Sequence, residues 1–200
     1  MTEVVAVLKA CKLTATVIVN MYKGAQAISD IFLTRKIEKF AEKSFSEESK
    51  KYIEEMSDEK FEQFLEQIIH TLTHAETVIK AMYVKNLTEA YCNQKINWNT
   101  FCRMNFIIGQ IYTFDLKSLV LFYNEDTPEI EEDEITQNKL NHFAQLGLLD
   151  YTNISDAMGE TPMFETNDFG KKFIECALPD LDELSKKRVK EKTDFMMKYL

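Results

Sequence analysis

Asp58-Glu59-Lys60-Phe61-Glu62-Gln63-Phe64-Leu65-Glu66-Gln67-Ile68-Ile69-His70-Thr71-Leu72 is the stretch from which the fold can be read. Its apolar residues Phe61, Phe64, Leu65, Ile68, Ile69 and Leu72 fall at i, i+3, i+4, i+7, i+8 and i+11, which keeps one face of an α-helix continuously apolar. Ser57 stands where a side-chain oxygen can accept a free amide of the first turn. Immediately downstream, Thr73-His74-Ala75-Glu76 matches the capping box, so a second helix is expected after a kink or tight turn, continuing to about Tyr91.

Helical spacing extends outward in both directions. Between Arg35 and Met56, Ile37, Phe40, Ala41 and Phe45 fall on one side and Lys36, Glu38, Lys39, Glu42 and Lys43 on the other, as in a surface helix with an interruption at Ser46. From Thr2 to Leu33, small and β-branched residues lie all round, as in a buried or interfacial helix; Gly24 marks a break, followed by Ala27, Ile28, Ile31 and Phe32 at helical spacing. Downstream, Asn97 can cap a helix carrying Trp98, Phe101, Met104, Ile108 and Ile111. Trp98 reads as a core anchor, with the lining of a ligand pocket as the alternative. Thr113 or Asp115 opens a further helix with Leu116, Leu119, Val120 and Tyr123 inward.

Composition agrees with this pattern. The 200 residues are 45% hydrophobic and 28% charged, as in an ordinary folded chain, and only five are Gly and three Pro, which leaves few tight turns and favours long helices. The expected fold is mainly α: a multi-helix bundle over 1–112, a small module with a short β-hairpin over 113–178, and a terminal helix over 179–200. Cys11, Cys92, Cys102 and Cys176 show no CxxC pairing, as expected of reduced thiols in a cytoplasmic protein. Lys9, Lys12 and Asn20 interrupt the apolar run from Val4 to Tyr22, leaving less than a membrane span.

The formal net charge of −9 disfavours whole-molecule attraction to phosphate backbones or anionic lipid. Glu125, Asp126, Glu129, Glu131, Glu132, Asp133 and Glu134 form an acidic segment with no base among them. Thr127-Pro128 within it has the form of a helix start. Lys186, Lys187, Arg188, Lys190, Lys192 and Lys198 give the last helix a local positive balance, and Phe195, Met196, Tyr199 and Leu200 close it with apolar bulk that suits docking.

From Ile135 the order is a helix with Leu140, Phe143 and Leu146, then Gly147-Leu148-Leu149, a polar excursion from Asp150 to Pro162, Met163-Phe164-Glu165-Thr166, and a closing helix with Gly170, Phe173 and Leu178. This order resembles the back half of a winged-helix domain, in which Leu-Gly-Leu-Leu leaves the third helix, a hairpin wing follows and Thr-x-x-x-Gly-x-x-Phe opens the last helix. The resemblance covers about Thr113 to Leu178, and Gly147 suits a left-handed helix C-cap. Winged helices that read DNA carry a basic third helix with supporting phosphate contacts. Here that helix offers Gln137, Asn138, Lys139, Asn141 and His142, seven acids precede it, and the expected wing carries Asp150, Asp156 and Glu160 without Lys or Arg. Winged helices also serve as protein-interaction modules, and charge favours that use. The amino-terminal half, with its apolar start up to Leu33-Thr34-Arg35-Lys36 and the Ala90-Tyr91 step, loosely resembles uncharacterised helical proteins of phages, prophages and abortive-infection systems.

Chemical constellations are few. Glu66, His70 and His74 recur every four residues and could ligate a divalent metal from one helix face, though without HExxH, and a solvated polar face is the simpler account. No nucleophile elbow, Cys-His signature or Gly-rich phosphate loop is present, so no cofactor and no catalysis are expected. The leading expectation is a non-enzymatic interaction or regulatory protein, of phage, mobile-element or phage-defence origin, that binds another protein through its helical surface or the C-terminal module, with a homo-oligomer as a further option. A winged-helix DNA-binding regulator and a membrane-associated abortive-infection effector using Val4 to Tyr22 are the alternatives.

Overall fold

A computed structural model describes residues 31–42, 45–124, 136–156 and 159–187. Over these residues the chain is mainly helical with a small two-stranded antiparallel sheet, and it divides into two compact units, Met1–Ile111 and Tyr112–Leu200. The amino-terminal apolar segment, the acidic segment Glu125 to Glu134, and Arg188, Lys190, Phe195, Met196 and Tyr199 lie outside the described residues. No single described helix is long and apolar enough to cross a membrane.

The first unit contains α1 (Ile31–Ala41), α2 (Glu47–Glu54), α3 (Asp58–His74), α4 (Lys80–Cys92) and α5 (Trp98–Gln110). Helix α3 is the helix its periodicity predicts: Phe61, Phe64, Leu65, Ile68 and Leu72 are all buried, and Ser57 caps it by accepting the Lys60 amide. Each such apolar side chain contributes about 1.5–3 kcal/mol when taken fully from water. Helix α4 packs against α1, α2, α3 and α5, which explains why Ala81, Val84, Leu87, Ala90 and Tyr91 are buried along it. Ser46 separates α1 from α2 and caps the latter through the Ser49 amide; Asn97 caps α5 through the Thr100 amide at 2.9 Å.

Two local expectations are corrected. The capping box at Thr73 does not form: Thr73 Oγ1 donates to Ile69 O at 2.8 Å within α3, which runs on through His74. A threonine already inside a helix satisfies itself against the preceding turn, so the motif loses its free amides. Helix α4 begins instead at Lys80 with no side-chain cap, and Glu76 pairs with the Lys80 ammonium. That ammonium is wholly inside the protein, so burial lowers its pKa against the opposing pull of Glu76. Lys36, expected on the solvent face, is only 3% exposed. Its ammonium donates to Leu72 O at 2.9 Å and Thr73 O at 3.4 Å, serving carbonyls that the end of α3 would otherwise leave open.

The second unit contains α6 (Thr113–Asn124), α7 (Gln137–Gln145), β1 (Leu149–Asp156), β2 (Gly159–Thr166), α8 (Asp168–Ala177) and α9 (179–187). Its core is Leu116, Leu119, Val120, Leu140, Phe143, Leu148, Leu149, Phe173 and Ile174. Gly147 has φ 73°, and its amide and that of Leu148 bond Ala144 O and Phe143 O, each at 2.9 Å, closing α7 with a left-handed residue as expected. The hairpin pairs Leu149 with Thr166, Tyr151 with Phe164 and Asn153 with Pro162. Its aromatic pair, Tyr151 and Phe164, has centroids 5.4 Å apart.

A corner fixes α6, the hairpin base and α8 together. The Tyr123 hydroxyl donates to Leu148 O at 2.5 Å and accepts the Asn167 amide at 3.1 Å, while Asn167 Oδ1 accepts the Gly170 amide at 2.7 Å and so caps α8. Burial raises the Tyr123 pKa, so the phenol stays a donor at neutral pH.

Candidate functional site

Helices α2, α3 and α4 and the start of α5 enclose a groove of about 630 Å³ in the first unit, lined by Tyr52, Lys60, Gln63, Tyr91, Gln94, Lys95, Ile96, Asn97 and Trp98. Its floor is a ring cluster built on Tyr91. That ring lies 5.7 Å from Tyr52, 5.8 Å from Phe64, 5.0 Å from Phe101 and 5.5 Å from Trp98, centroid to centroid. Phe101 also contacts Phe64 at 5.8 Å and Trp98 at 5.5 Å. These are the separations at which aromatic pairs attract through their quadrupoles.

Phe64, Phe101 and Tyr91 are buried, whereas Trp98 and Tyr52 are half-buried and turn part of their surface into the groove. Trp98 is thus a rim residue, which corrects its reading as a core anchor. The reason is position: it occupies the first turn of α5, where helical spacing persists but the neighbouring helices no longer enclose it. Lys60 stands over the opening, its ammonium 2.9 Å from the Tyr52 hydroxyl and 4.9 Å and 5.9 Å above the rings of Tyr52 and Tyr91.

The lip carries a backbone feature. Gln94 has φ 57°, and its amide and that of Lys95 bond Tyr91 O and Ala90 O at 2.9 Å, ending α4. Glycine is the usual residue in this left-handed position, and a side chain there costs about 1 kcal/mol. Here the side chain lines the groove.

A polar lock holds α2, and with it Tyr52, against α4. Glu89 accepts the Ser49 hydroxyl at 2.5 Å, the Ser46 hydroxyl at 3.0 Å and the Ser46 amide at 3.1 Å, with the Lys85 ammonium 3.4 Å away. Burial pushes the Glu89 pKa up, but these hydrogen bonds and the Lys85 charge outweigh it and hold the carboxyl below its ordinary value. A carboxylate lowered on folding stabilises above its unfolded pKa, and that stability is lost as pH falls through the lowered value. Glu89→Gln is therefore expected to lower the urea midpoint clearly at about pH 7 and by much less at about pH 3. An equal loss at both pH values would mean that the charge does not hold α2.

Thiol and phenol groups around the ring cluster are held protonated. Cys92, behind it, is buried and its thiol is pushed up to about 12 by desolvation and then by Glu89, leaving almost no thiolate at neutral pH. Burial raises Cys102 as well, and raises Tyr91 so that its phenol stays protonated.

Other residues singled out from sequence fall elsewhere. Glu66, His70 and His74 share one helix, but no group of three potential ligands assembles among the described residues. His70 and His74 lie ring against ring at 4.3 Å, and His74 Nδ1 is 2.8 Å from His70 O, committed to its own backbone. Lys186 pairs with Asp182 at 2.6 Å on the exposed face of α9, beside the exposed Lys187. On α7, the Lys139 ammonium turns to α6, 3.4 Å from Asp115 and 3.3 Å from Ser118 Oγ. In the sequence, Trp98 is marked as a pocket residue only as the alternative to a core anchor, and Tyr52, Lys60, Gln94 and Lys95 carry no local signal. No protein-family model, curated protein or solved structure matches the chain.

Proposed function

We propose that this is a non-enzymatic interaction protein that docks a protein partner in the aromatic groove of its first unit. The observation that carries this is the half-buried pair Trp98 and Tyr52, set over a packed aromatic floor and open to solvent. Tryptophan and tyrosine so placed are the residues that dominate interface energies, because they bury large rigid surface with little entropy loss. The strained Gln94 at the lip supports the same use, since a glycine there would relax the backbone but withdraw a contacting side chain.

The second unit is proposed as a winged-helix-like module that contacts protein. Its helix, hairpin, helix order supports this, and the pairing of Lys139 with Asp115 favours it over DNA reading, because the cation of α7 is turned onto α6.

The test uses the full chain as bait. Trp98→Ala is expected to weaken a captured partner about 30-fold, the effect of losing a central tryptophan anchor, with the circular dichroism spectrum retained. The purified partner must then bind the wild-type chain directly and the variant weakly. Equal capture by the variant, or a substrate turned over in the groove, would overturn the proposal.

A further inference from the structure

We infer that the occupant of the groove is an acidic peptide segment presenting an aromatic or aliphatic anchor; this rests on the docking function proposed above. Two observations fix its chemistry. The walls, Trp98, Tyr52 and Ile96 over Tyr91, are apolar and flat, and a hollow of about 630 Å³ admits one large side chain with its flanking backbone. The charged residues lining it are Lys60 and Lys95, both basic and both exposed. The adjoining hollow shares Lys95 with the groove and carries Glu48, Lys51 and Glu55 besides, so its charges balance.

A carboxylate beside the anchor would pair with either lysine. The Lys60 ammonium has three donors, so its bond to Tyr52 leaves capacity for a second acceptor. A basic segment would bring ammonium against ammonium over a desolvated wall. A nucleic-acid strand repeats its charge at every nucleotide and would need cations along its path beyond these two lysines. Gln63 and Gln94 supply amides for the peptide backbone at the edges.

Trp98 is the single tryptophan of the chain, so its emission reports on the groove directly. The probes are a random copolymer of glutamate and tyrosine, one of lysine and tyrosine, and an oligothymidylate, each titrated against the full chain with excitation selective for tryptophan. The glutamate copolymer is expected to quench or shift Trp98 emission saturably, more weakly at high salt. Lys95→Glu should weaken it about tenfold and strengthen the lysine copolymer, since charge at an interface selects by sign. Preference of the wild-type chain for the lysine copolymer or the oligothymidylate, or no response to any probe, would overturn the inference. If no probe acts while Trp98→Ala still abolishes partner capture, the acidic occupant fails and the docking function stands. If Trp98→Ala leaves capture intact, the docking function itself fails.

Discussion

Replacing Gly170 with alanine is expected to destabilise the second unit by roughly 3 to 5 kcal/mol, combining overpacking with the loss of a buried hydrogen bond. A Cβ at this position would lie 2.0 Å from the Tyr123 hydroxyl, 2.2 Å from Leu148 O and 2.8 Å from Tyr123 Cζ. Two of those contacts are the donor and acceptor of one bond, Tyr123 to Leu148, so the methyl occupies the space that the bond needs. Leu148 O belongs to the backbone leaving α7 for β1 and cannot move without disturbing the hairpin base. Asn167 caps α8 through the Gly170 amide, so a shift of α8 would break that bond as well. Hydrogen exchange at the α7 and α8 amides should accelerate while that of α3 and α5 stays unchanged. Tyr123→Phe in the same chain removes the nearest oxygen but not the carbonyl, so the double variant should be more stable than the sum of the two losses by about 1 kcal/mol or more. A Gly170→Ala protein within about 0.5 kcal/mol of wild type, inside the usual scatter of surface changes, would show that the corner is looser than its distances imply.

That corner was partly legible in the sequence, and the reason is its locality. Thr166, Gly170 and Phe173 keep a short fixed spacing, and Gly147 marks the end of α7 through a conformation that glycine adopts at little cost. Helix α3 was legible for the same kind of reason, since six apolar residues at helical spacing admit few alternatives. The Thr73 motif misled because its free amides are local only if a helix begins there, and burial of Leu72 and Ala75 carries α3 past it. Lys36 was hidden from sequence because its partners stand 36 and 37 residues away. The groove was less legible still. Tyr52, Tyr91 and Trp98 come from three helices, and periodicity states that a ring faces inward without stating whether the neighbouring helix reaches far enough to cover it. Ranking Trp98 as rim or core therefore required knowing where α2 and α4 end relative to α5.

Phe101→Ala is expected to cost the first unit about 3 to 5 kcal/mol, the range for emptying a buried aromatic site. Phe101 is fully buried and touches Phe64, Tyr91 and Trp98, so its removal withdraws support from beneath the groove as well as from the core. Two readouts should move together: the urea midpoint should fall, and Trp98 emission should shift to the red as water reaches the face that Phe101 had covered. Phe101→Leu, which keeps most of the volume, should lose under about 1.5 kcal/mol and keep the emission close to wild type. Trp98→Ala separates the other half of the argument, because a half-exposed ring leaves less stability behind than a buried one while removing the surface offered to a partner. The order expected for stability is therefore Phe101→Ala well below Trp98→Ala, and for partner binding at a folded groove the Trp98 ring dominates. If Phe101→Ala instead loses less than Trp98→Ala and leaves the tryptophan spectrum unchanged, the aromatic cluster is not the floor of the groove, and the rigid presentation of Trp98 and Tyr52 would need another support.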